Sequence, residues 1–350
     1  MEDNKYVPVD TIVSEDARDA LKRIKPESIA CSIWSPPYHV GKQYEAGMSY
    51  EEWQQLLQEV IHLHYAILKP GAFLAINIAD ILCFKDTKMP RIMAANVSRR
   101  KVRVSREDIL AAMREHPGYN RYQLAALLGC SEQTIDRRLN GNNIRGGKYD
   151  SQTRVKLVGG FLEEMALDAG LYLYDRRIWV KDPAWENSRW HTISYRSIDE
   201  FEYVYVFWKP GITLVDRNRL SRSEWVAWGS RGVWMIPSVR ANDDHEAKFP
   251  LELPRRLIRL LTQPEDTVLD CFIGSGTTAV AAIMEGRHYI GIDKEPKYAS
   301  MAQKAAVDTY ATMTLQPSLS APTTTHCNVA PSCERQLVLL ERSLAKDLEN

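Results

Sequence analysis

Short apolar runs alternate with longer amphipathic stretches in the first hundred residues, a pattern typical of α/β folds. The apolar runs of strand length predict three strands, at residues 6–13, 29–34 and 72–78. Apolar positions at helical spacing predict two helices, at residues 16–24 and 50–68. Lys69-Pro70-Gly71 marks the expected end of the second helix.

The same alternation returns after residue 151 and continues to about residue 312. The predicted helices are 153–169, 251–261, 277–285 and one that begins at residue 295. The predicted strands are 171–180, 201–208, 267–269 and 287–292. Residues 211–245 are irregular and rich in Arg and Trp, which predicts a loop. The whole pattern predicts a doubly wound, mostly parallel sheet with helices on both faces.

Residues 96–150 interrupt this alternation. Ser105-Arg106-Glu107-Asp108 resembles a capping box and predicts a helix that ends near residue 115. Two further short helices, at 121–128 and 132–139, are separated by Gly129-Cys130-Ser131. A helix, a glycine-containing turn and a second helix form the signature of a helix-turn-helix module. The segment holds eleven Lys and Arg against six Asp and Glu, a local charge of +5.

These patterns divide the chain into six expected segments. They are a first half of the α/β core at 1–95, an inserted helix-turn-helix module at 96–150, a continuation of the core at 151–210, an Arg- and Trp-rich segment at 211–245, a second half of the core at 246–312, and a tether with a terminal helix at 313–350. The tether is expected because residues 316–333 are rich in Ser, Thr, Pro and Ala.

Composition narrows the class of protein. The formal net charge of the 350 residues is zero, so a basic surface for nucleic acid must be local. The six cysteines show neither a C-x-x-C pair nor zinc spacing, and His62 and His64 are interpreted as a helix surface or core pair, so no metal site is predicted. No signal peptide or long apolar span is visible, which predicts a cytoplasmic protein without membrane association.

Two loops carry the candidate chemistry. Ser35-Pro36-Pro37-Tyr38 follows the strand predicted at 29–34, and the sequence D-C-F-I-G-S-G-T-T at 270–278 follows the strand predicted at 267–269. Open α/β sheets bind their ligands at the carboxyl ends of the strands. We therefore expect the two loops to lie side by side at one rim of a common sheet.

The second loop has the features of a nucleotide-type cofactor site. Gly274 and Gly276 let backbone amides approach a ligand without interference from a Cβ atom. Nicotinamide and flavin enzymes use similar loops, so this feature alone does not identify the cofactor. Asp293 closes the next strand 23 residues after Asp270, a spacing at which an acid can bind both ribose hydroxyls.

The loop at 270–278 resembles the S-adenosylmethionine motif D-P-F-x-G-S-G-T-T of amino-group DNA methyltransferases, with Cys271 in place of proline. Residues 245–250, followed by 255–258, resemble the element that packs on the methionine end of the cofactor. Asp16 stands where the family places the acid that faces the adenine amine, although Glu15 replaces the usual glycine before it. The resemblance implies a Rossmann-like methyltransferase fold with cofactor contacts from Asp16, Phe249, Asp270, Phe272, Gly274, Gly276, Thr277, Thr278 and Asp293.

The proline tetrad fits methylation of an exocyclic amine. The lone pair of such an amine is conjugated with the ring, so transfer improves when acceptors hold its hydrogens. Ser35 Oγ and the carbonyl of Pro36 can accept them, and two prolines stiffen the loop. Tyr38 offers a face on which a flipped-out base can stack, worth ~1–3 kcal/mol. The predicted catalytic residues are Ser35, Pro36, Pro37 and Tyr38.

The family resemblance favours cytosine N4 over adenine N6 as the target, because serine rather than aspartate opens the tetrad. Adenine N6 remains the alternative. No cysteine lies in a Pro-Cys pair, so covalent attack on the cytosine ring is not indicated. The tetrad precedes the cofactor loop, which is the permuted order of the beta group of these enzymes.

Two segments are candidates for reading DNA. In the helix-turn-helix module, the expected contacts are Gln133, Thr134, Arg137 and Arg138, since Arg can bind guanine through two hydrogen bonds. In the Arg- and Trp-rich segment, the expected contacts are Arg219, Arg222 and Arg231. A weaker basic patch covers 187–191. The alternatives are that the module serves packing or dimerisation and that some tryptophans of the second segment belong to the core.

The predicted function is therefore transfer of a methyl group from S-adenosylmethionine to N4 of a flipped-out cytosine in duplex DNA. Association with the nucleoid through DNA and a cognate restriction endonuclease acting on the same site are expected from this function. A ligand-sensing helix-turn-helix regulator is the alternative from another class, but it leaves the tetrad unexplained. A methyltransferase for RNA or small molecules is a third interpretation, which the two basic segments disfavour.

Overall fold

The computed structural model describes residues 5–38, 48–86, 88–89, 104–140, 153–184, 197–239 and 250–315. Spatial contacts divide the chain into two units, Met1–Thr309 and Tyr310–Asn350. The second unit is described only through the carboxyl end of a helix, and most of the expected tether and the terminal helix at 334–348 lie outside the described residues. The account below concerns the first unit.

The described residues contain ten strands. They are β1 Thr11–Ser14, β2 Ile29–Trp34, β3 Leu68–Ile78, β4 Ile81–Lys85, β5 Thr153–Lys156, β6 Tyr172–Ala184, β7 Asp199–Trp208, β8 Val233–Met235, β9 Thr267–Asp270 and β10 His288–Asp293. Eight of them form one sheet in the order β1-β10-β9-β2-β3-β7-β6-β8. The first five strands in this order are mutually parallel, and β7 is antiparallel to both β3 and β6. The predicted doubly wound, mostly parallel sheet is confirmed.

The helices of the described ranges lie on both faces of this sheet or in the insert. They are α1 Ala17–Leu21, α2 Tyr50–Ile67, α3 Arg106–Glu115, α4 Arg121–Leu127, α5 Glu132–Asn140, α6 Gly159–Asp168, α7 Arg222–Glu224, α8 Glu252–Leu261, α9 Thr277–Met284 and α10 Pro296–Leu315. A π-helical turn, Trp225–Gly229, follows α7. No helix in the described part of the chain is long and apolar enough to cross a membrane.

Two hydrophobic cores hold the layers together. Side chains of α1, α2 and α6 pack on one face of the sheet, and those of α8, α9 and α10 pack on the other. The alternation of strand side chains supplies both cores, since Ile33 joins one and its neighbour Trp34 joins the other. Helix α2 illustrates the local logic: Ser49 and Glu52 form a capping box, and the buried residues Trp53 and Leu57 recur at helical spacing.

The strand order reverses between β9 and β2. From β2 the chain proceeds to β3 on one side, and from β9 it proceeds to β10 on the other. Loops that leave the carboxyl ends of these two strands diverge to opposite faces of the sheet, and the crevice between them is where α/β sheets bind ligands. The fold therefore places the tetrad and the glycine loop at its switch point.

The predicted helix at 153–169 is wrong over its first part. Thr153–Lys156 is a strand, antiparallel to β4, which was itself not predicted. The β-branched residues Thr153 and Val155 alternate with charged ones, a pattern that favours a strand. The helix begins only at Gly159, with two residues between it and the end of β5.

The predicted loop at 211–245 is wrong as well. It contains α7, the π-helical turn and β8, and β8 pairs with β6 as the outermost strand of the sheet. Burial of Trp228 and Trp234 explains this order, because two large rings anchor an otherwise irregular segment. The strand predicted at 6–13 is also shorter than expected: Asp10 has a φ of 58°, and the strand starts at Thr11.

Candidate active site at the sheet rim

The tetrad and the glycine loop leave adjacent parallel strands. Ser32 of β2 lies opposite Leu269 of β9, and its hydroxyl donates to the Leu269 carbonyl at 3.2 Å. At the end of β2, the ring of Trp34 meets Phe272 of the glycine loop edge-on, with centroids 5.4 Å apart. The expectation that both loops lie at one rim of a common sheet is confirmed.

Asp270 braces the glycine loop from inside. Its side chain is buried, with only 1% of the residue exposed, and it accepts hydrogen bonds from Thr278 Oγ1 at 2.5 Å and from the Phe272 amide at 3.0 Å. Burial raises the pKa of Asp270 to about 7. Asp270 and Thr278, both expected to contact the cofactor, thus join the two ends of the loop.

Gly274 and Gly276 adopt the left-handed conformation, with φ of 53° and 92°. A Cβ atom at Gly276 would lie 2.8 Å from Ala302 Cα, which is backbone of α10 and cannot yield easily. Gly276 therefore allows both the turn and the close approach of α10, and the turn leads directly into the amino terminus of α9 at Thr277.

Asp293 ties the glycine loop to the neighbouring strand end. One carboxylate oxygen accepts from the Gly274 amide at 3.0 Å, and the other accepts from the Glu295 amide at 2.9 Å. Burial raises the pKa of this carboxyl group. The two hydrogen bonds from backbone amides lower the pKa, but they offset the effect of burial only in part. Each oxygen retains a second lone pair, so the carboxylate could also accept bonds from ligand hydroxyls.

Asp16 lies at the same rim, two residues after β1. Ser14 of β1 stands opposite Asp293 of β10, which brings the ends of these strands together. Asp16 caps α1 through the Arg18 amide at 2.9 Å, and the Arg18 guanidinium contacts both carboxylate oxygens. The side-chain hydrogen bond from Arg18 holds the pKa of Asp16 below its usual range.

The tetrad is held by contacts to α2 and β3. The Ser35 hydroxyl faces two acceptors, the Asn77 carbonyl and Tyr38 Oη, each at 2.9 Å. The Pro37 carbonyl accepts from Trp53 Nε1 at 2.6 Å. The carbonyl of Pro37 is thus engaged in the fold, whereas Ser35 Oγ and the Pro36 carbonyl were the acceptors expected to face the substrate.

A buried acidic residue behind the tetrad was missed in the sequence. Tyr38 Oη donates to Glu202 Oε2 at 2.5 Å, and Asn77 Nδ2 donates to the same oxygen at 2.7 Å. Lys181 Nζ lies 2.7 Å from the other oxygen and 3.0 Å from Asp199. Burial lowers the pKa of Lys181, but Glu202 and Asp199 outweigh it and raise the pKa overall. No local signal in Asp199–Trp208 distinguishes Glu202 from its neighbours.

Asn77 supplies a second unusual feature beside the tetrad. Its side-chain oxygen Oδ1 is buried and has no hydrogen-bond partner among the described residues. Buried polar atoms nearly always have partners, and the exceptions are common at binding sites. An orphan acceptor next to Ser35 fits a site that receives a donor from its ligand.

His64 packs against β2, the strand that leads into the tetrad. The ring is fully buried: Nδ1 lies 2.7 Å from the Val60 carbonyl, and Nε2 faces Ser32 Oγ at 2.9 Å and Trp34 Nε1 at 3.3 Å. Trp34 Nε1 can only donate, so Nε2 is the acceptor and Nδ1 carries the proton. Burial lowers the pKa of His64 to about 4. His64 therefore belongs to the core, whereas His62 is exposed, so the two histidines, interpreted from the sequence as a helix surface or core pair, differ.

The helical insert has a small core of its own. Buried residues of all three helices, among them Ile109, Leu124 and Ile135, pack together. On α5, Ile135 is buried in this core, whereas Gln133 and Arg138 are exposed. Thr134 is half-buried and its hydroxyl lies 3.0 Å from Ser131 Oγ, while the side chain of Arg137 lies outside the described residues.

The Arg- and Trp-rich segment is packed against α8 and β6. Trp228 and Trp234 are buried, and the Arg256 guanidinium lies over both rings, 5.3 and 5.5 Å from their centroids. Arg177 lies 4.8 Å above Trp234. These tryptophans belong to the core, so they cannot stack on a base in this arrangement.

The three arginines expected to contact DNA in this segment differ in how far their side chains are held by hydrogen bonds within the protein. Arg219 donates to the carbonyls of Asp216, Leu214 and Leu260, so a DNA contact by Arg219 would require those bonds to break. Arg222 and Arg231 are exposed, although Arg231 Nε also donates to the Val226 carbonyl at 3.2 Å. Phe249 and the patch at 187–191 lie outside the described residues.

Comparison with known proteins gives consistent results. Residues 29–304 match a family model described as DNA methylase. The chain is 62% identical over 304 residues to the Type II methyltransferase M.BglI of Bacillus subtilis, and the match spans 87% of each chain. It is 22% identical over 307 residues to the Type II beta methyltransferase M.BslI of Bacillus sp. (strain NEB-606), covering 85% of this chain and 27% of that protein.

Two solved structures share the fold. TTHA0409 of Thermus thermophilus, in complex with S-adenosyl-L-methionine, aligns with a TM-score of 0.55 over 85% of this chain and 93% of that one, at 22% identity. The PvuII DNA methyltransferase (cytosine-N4-specific) aligns with a TM-score of 0.52 over 88% of this chain and 93% of that one, at 17% identity. At these identities, the similarity supports the fold alone.

Proposed function

Because this chain belongs to the DNA methylase family, we propose that it transfers a methyl group from S-adenosylmethionine to the N4 amine of a cytosine flipped out of duplex DNA. One observation carries the proposal: the tetrad and the glycine loop meet at the switch point of the sheet, with Trp34 against Phe272. A cofactor in the glycine loop and a base at the tetrad would then be neighbours. A regulator that only senses a ligand gives no reason for this arrangement.

The cofactor side of the crevice fits a nucleoside with a charged tail. Three adjacent strand ends contribute Asp16, Asp293 and the glycine loop. Asp293 would accept bonds from the ribose hydroxyls, and Asp16 would accept one from the adenine amine, as carboxylates do. The amides around Gly274 and Gly276 would approach the remaining polar atoms. S-adenosylmethionine supplies an electrophilic methyl group on a sulfonium centre.

The substrate side presents acceptors to an amine. Ser35 directs its proton inward, so its lone pairs can hold a hydrogen of the target amine. The Pro36 carbonyl would hold the other hydrogen, since the Pro37 carbonyl is taken by Trp53. With both hydrogens held, the nitrogen lone pair is turned out of conjugation with the ring and towards the methyl group. Holding two bound reactants in the right orientation accounts for much of the rate enhancement of such enzymes.

Tyr38 is the proposed stacking surface for the flipped base. Its hydroxyl is anchored to Glu202 at 2.5 Å, which fixes the plane of the ring. A fixed ring offers its face at low entropic cost, and base–aromatic stacking contributes ~1–3 kcal/mol. Base flipping itself remains part of the proposal.

Cytosine N4 is preferred to adenine N6 as the target because the tetrad begins with serine. A serine hydroxyl can accept a hydrogen bond from the amine but does not take its proton, whereas a carboxylate can do both, and the more acidic cytosine amine needs less help. The cytosine-N4 specificity of the PvuII enzyme, which shares the fold, supports the same choice. Adenine N6 is the competing outcome.

The test of this function is product analysis. Purified protein, S-adenosylmethionine and mixed-sequence duplex DNA are incubated, the DNA is digested to nucleosides, and the products are separated by liquid chromatography with mass detection. We expect N4-methylcytosine as the modified nucleoside. Only N6-methyladenine would contradict the cytosine assignment, and no methylated nucleoside of either kind would contradict the function.

Duplex DNA is the proposed partner, and α5 of the helical insert is the proposed reader. Gln133 and Arg138 are exposed on that helix, with Arg137 next to Arg138 in sequence. Arg222 and Arg231 form a second proposed contact on the Arg- and Trp-rich segment. Single-molecule sequencing of DNA from expressing cells should reveal one methylated motif, and random methylation would contradict site-specific reading.

A cognate endonuclease that cuts the same motif is the second proposed partner. The Type II designation of the Bacillus subtilis relative supports this proposal. DNA methylated by the protein should resist an endonuclease that recognises the sequenced motif, while DNA treated with the Ser35→Ala variant should be cut. Cutting of both DNAs would contradict a protective role.

A further inference from the structure

A chain of hydrogen bonds runs from the tetrad into the protein. Ser35 Oγ lies 2.9 Å from Tyr38 Oη, and Tyr38 Oη lies 2.5 Å from Glu202 Oε2. Glu202 is on β7, the strand next to β3, and 164 positions separate it from Tyr38. The Ser35 hydroxyl is therefore two hydrogen bonds away from a buried carboxylate.

Glu202 is buried and surrounded by hydrogen-bond donors. Only 5% of the residue is exposed, and it receives donors from Tyr38, Asn77 and Lys181. Lys181 also pairs with Asp199, so the cluster contains two carboxylates and one ammonium. Lys181 donates to one oxygen of Glu202 and Asn77 donates to the other, and neither group can accept, so both oxygens of Glu202 act as acceptors.

The carboxylate sets the direction of the whole chain. Because Glu202 can only accept, the Tyr38 proton points towards it, and the lone pairs of Tyr38 Oη face Ser35 and the Asn77 amide. Ser35 in turn directs its proton inward, to Tyr38 Oη or to the Asn77 carbonyl. Both lone pairs of Ser35 Oγ are then left for the substrate side.

We propose that Glu202 is a positioning residue for methyl transfer: it orients the Tyr38 hydroxyl so that Ser35 Oγ remains a hydrogen-bond acceptor for the target amine. The inference rests on the proposed function and adds a residue that is outside the tetrad and the cofactor loop. Glu202 acts through Tyr38 and does not touch the substrate.

An isosteric substitution should reverse the chain. In a Glu202→Gln variant, the side-chain oxygen would face Lys181, which can only donate, and the NH2 group would face Tyr38. The Asn77 amide, which donates to the same oxygen of Glu202, would have to turn as well. The Tyr38 hydroxyl would then donate to Ser35 Oγ at 2.9 Å, because the Asn77 carbonyl is farther away, at 3.4 Å, and already accepts from Ser35. One lone pair of Ser35 Oγ would then accept from Tyr38 and would no longer be available to the target amine. The shape of the site would be retained.

The experiment compares single-turnover methylation rates of four variants. Glu202→Gln should be about tenfold slower than wild type, as expected for one impaired hydrogen bond. Tyr38→Phe should lose only about threefold, because the Asn77 carbonyl still takes the Ser35 proton. The double variant Tyr38→Phe/Glu202→Gln should be as fast as Tyr38→Phe, since no misdirected hydroxyl remains. Glu200→Gln, an exposed position on the same strand, is the matched control and should equal wild type.

Rescue by the second substitution is the decisive result, because a purely structural role of Glu202 predicts the opposite. A double variant as slow as Glu202→Gln, or slower, would overturn the proposal. Glu202→Asp, which keeps the carboxylate, should retain more activity than Glu202→Gln, and the reverse order would also overturn it. Dissociation constants for DNA and S-adenosylmethionine, measured by anisotropy and calorimetry, should change less than about twofold across the set.

A fallback covers poor folding of Glu202→Gln, as judged by circular dichroism. Glu202→Ala also removes the acceptor, so it should slow the reaction, and Tyr38→Phe should rescue it in the same way. Failure of the proposed function is distinguishable, because the nucleoside analysis of wild type is done first. If wild type methylates adenine N6, the variant order still tests Glu202, since that amine also needs an acceptor.

Discussion

The rim of the sheet and the helical insert are built from contacts of different range. In the insert, helices α3 and α4 start with capping boxes between residues three apart, Ser105 with Asp108 and Asn120 with Gln123. At the rim, the decisive contacts join distant parts of the chain, such as Tyr38 with Glu202. The insert can therefore form from local signals, whereas the rim depends on the completed sheet.

This difference suggests that the two regions have separate roles, and substitutions in each region can test this separation. The rim holds the groups proposed for chemistry and cofactor binding, and the insert presents the groups proposed for DNA. Substitutions at the rim should change rate or cofactor affinity and leave DNA affinity alone. Substitutions on α5 should do the reverse.

The largest effect is expected for Ser35→Ala. It removes the proposed acceptor for the target amine, and single-turnover methylation should slow about a hundredfold, ~3 kcal/mol of barrier. Calorimetric binding of S-adenosylmethionine should be unchanged, because Ser35 contacts Tyr38 and Asn77 rather than the glycine loop. An unchanged rate would exclude Ser35 from the chemistry.

The next effect is expected for Asp293→Ala. The substitution removes bonds to the Gly274 and Glu295 amides as well as the proposed ribose contact. Affinity for S-adenosylmethionine should fall about thirtyfold, ~2 kcal/mol, as for loss of a charged hydrogen-bond acceptor. Glu295→Ala is the control, since only its backbone amide takes part. Equal isotherms for Asp293→Ala and wild type would remove Asp293 from the cofactor site.

A third test measures how the free energy of unfolding depends on pH through the buried ring of His64. The pKa of His64 is about 4 in the folded protein, and it returns to about 6.5 on unfolding. Between these values the unfolded chain binds a proton that the native protein does not, so His64 lowers stability as pH falls. From pH 7 to pH 5, the free energy of unfolding should drop by about 2 kcal/mol more in wild type than in His64→Gln.

The control for this test is His62→Gln, an exposed residue on the same helix. All other titrating groups are shared, including Asp270, whose raised pKa acts in the opposite direction over the same range. The difference between the pH profiles of wild type and His64→Gln therefore reports the titration of the His64 ring alone. Parallel pH profiles of wild type and His64→Gln in urea unfolding would show that His64 is not held neutral.

The two regions also differ in how much the sequence predicts. The three helices of the insert are predictable to within about one residue at their ends, because caps and turn residues mark them locally. Both rim loops are predictable from their motifs, and so is their adjacency, since strand ends meet at one edge. Glu202 and Asn77 are missed, because nothing near them in sequence reveals which residue they face.

The prediction errors have the same origin. The sequence pattern predicts a helix at Thr153–Lys156, although this segment pairs with β4, far earlier in the chain. It predicts a loop at 211–245, although Trp228 and Trp234 find a core made by α8 and β6. The DNA contact at Arg219 stays a prediction, but the carbonyls that bind its guanidinium are a further feature that the sequence does not reveal. Each of these depends on partners that only the assembled sheet supplies.

The smallest effect is expected for Arg138→Ala on α5. Removing one phosphate or base contact should weaken DNA binding about threefold near physiological salt, and it should reduce the slope of log K against log salt by about one. Methylation at saturating DNA should keep its wild-type rate. Fluorescence anisotropy over a salt series measures both quantities.

Arg114→Ala serves as the matched control, because Arg114 is exposed on α3 and outside the proposed reading helix. If both substitutions reduce the slope equally, the insert attracts DNA only through its general charge. If Arg138→Ala slows methylation at saturating DNA instead, the insert also acts on the chemistry, and the division between the two regions is wrong. A change in slope confined to Arg138→Ala would place α5 against the DNA and leave the rim to carry out the reaction.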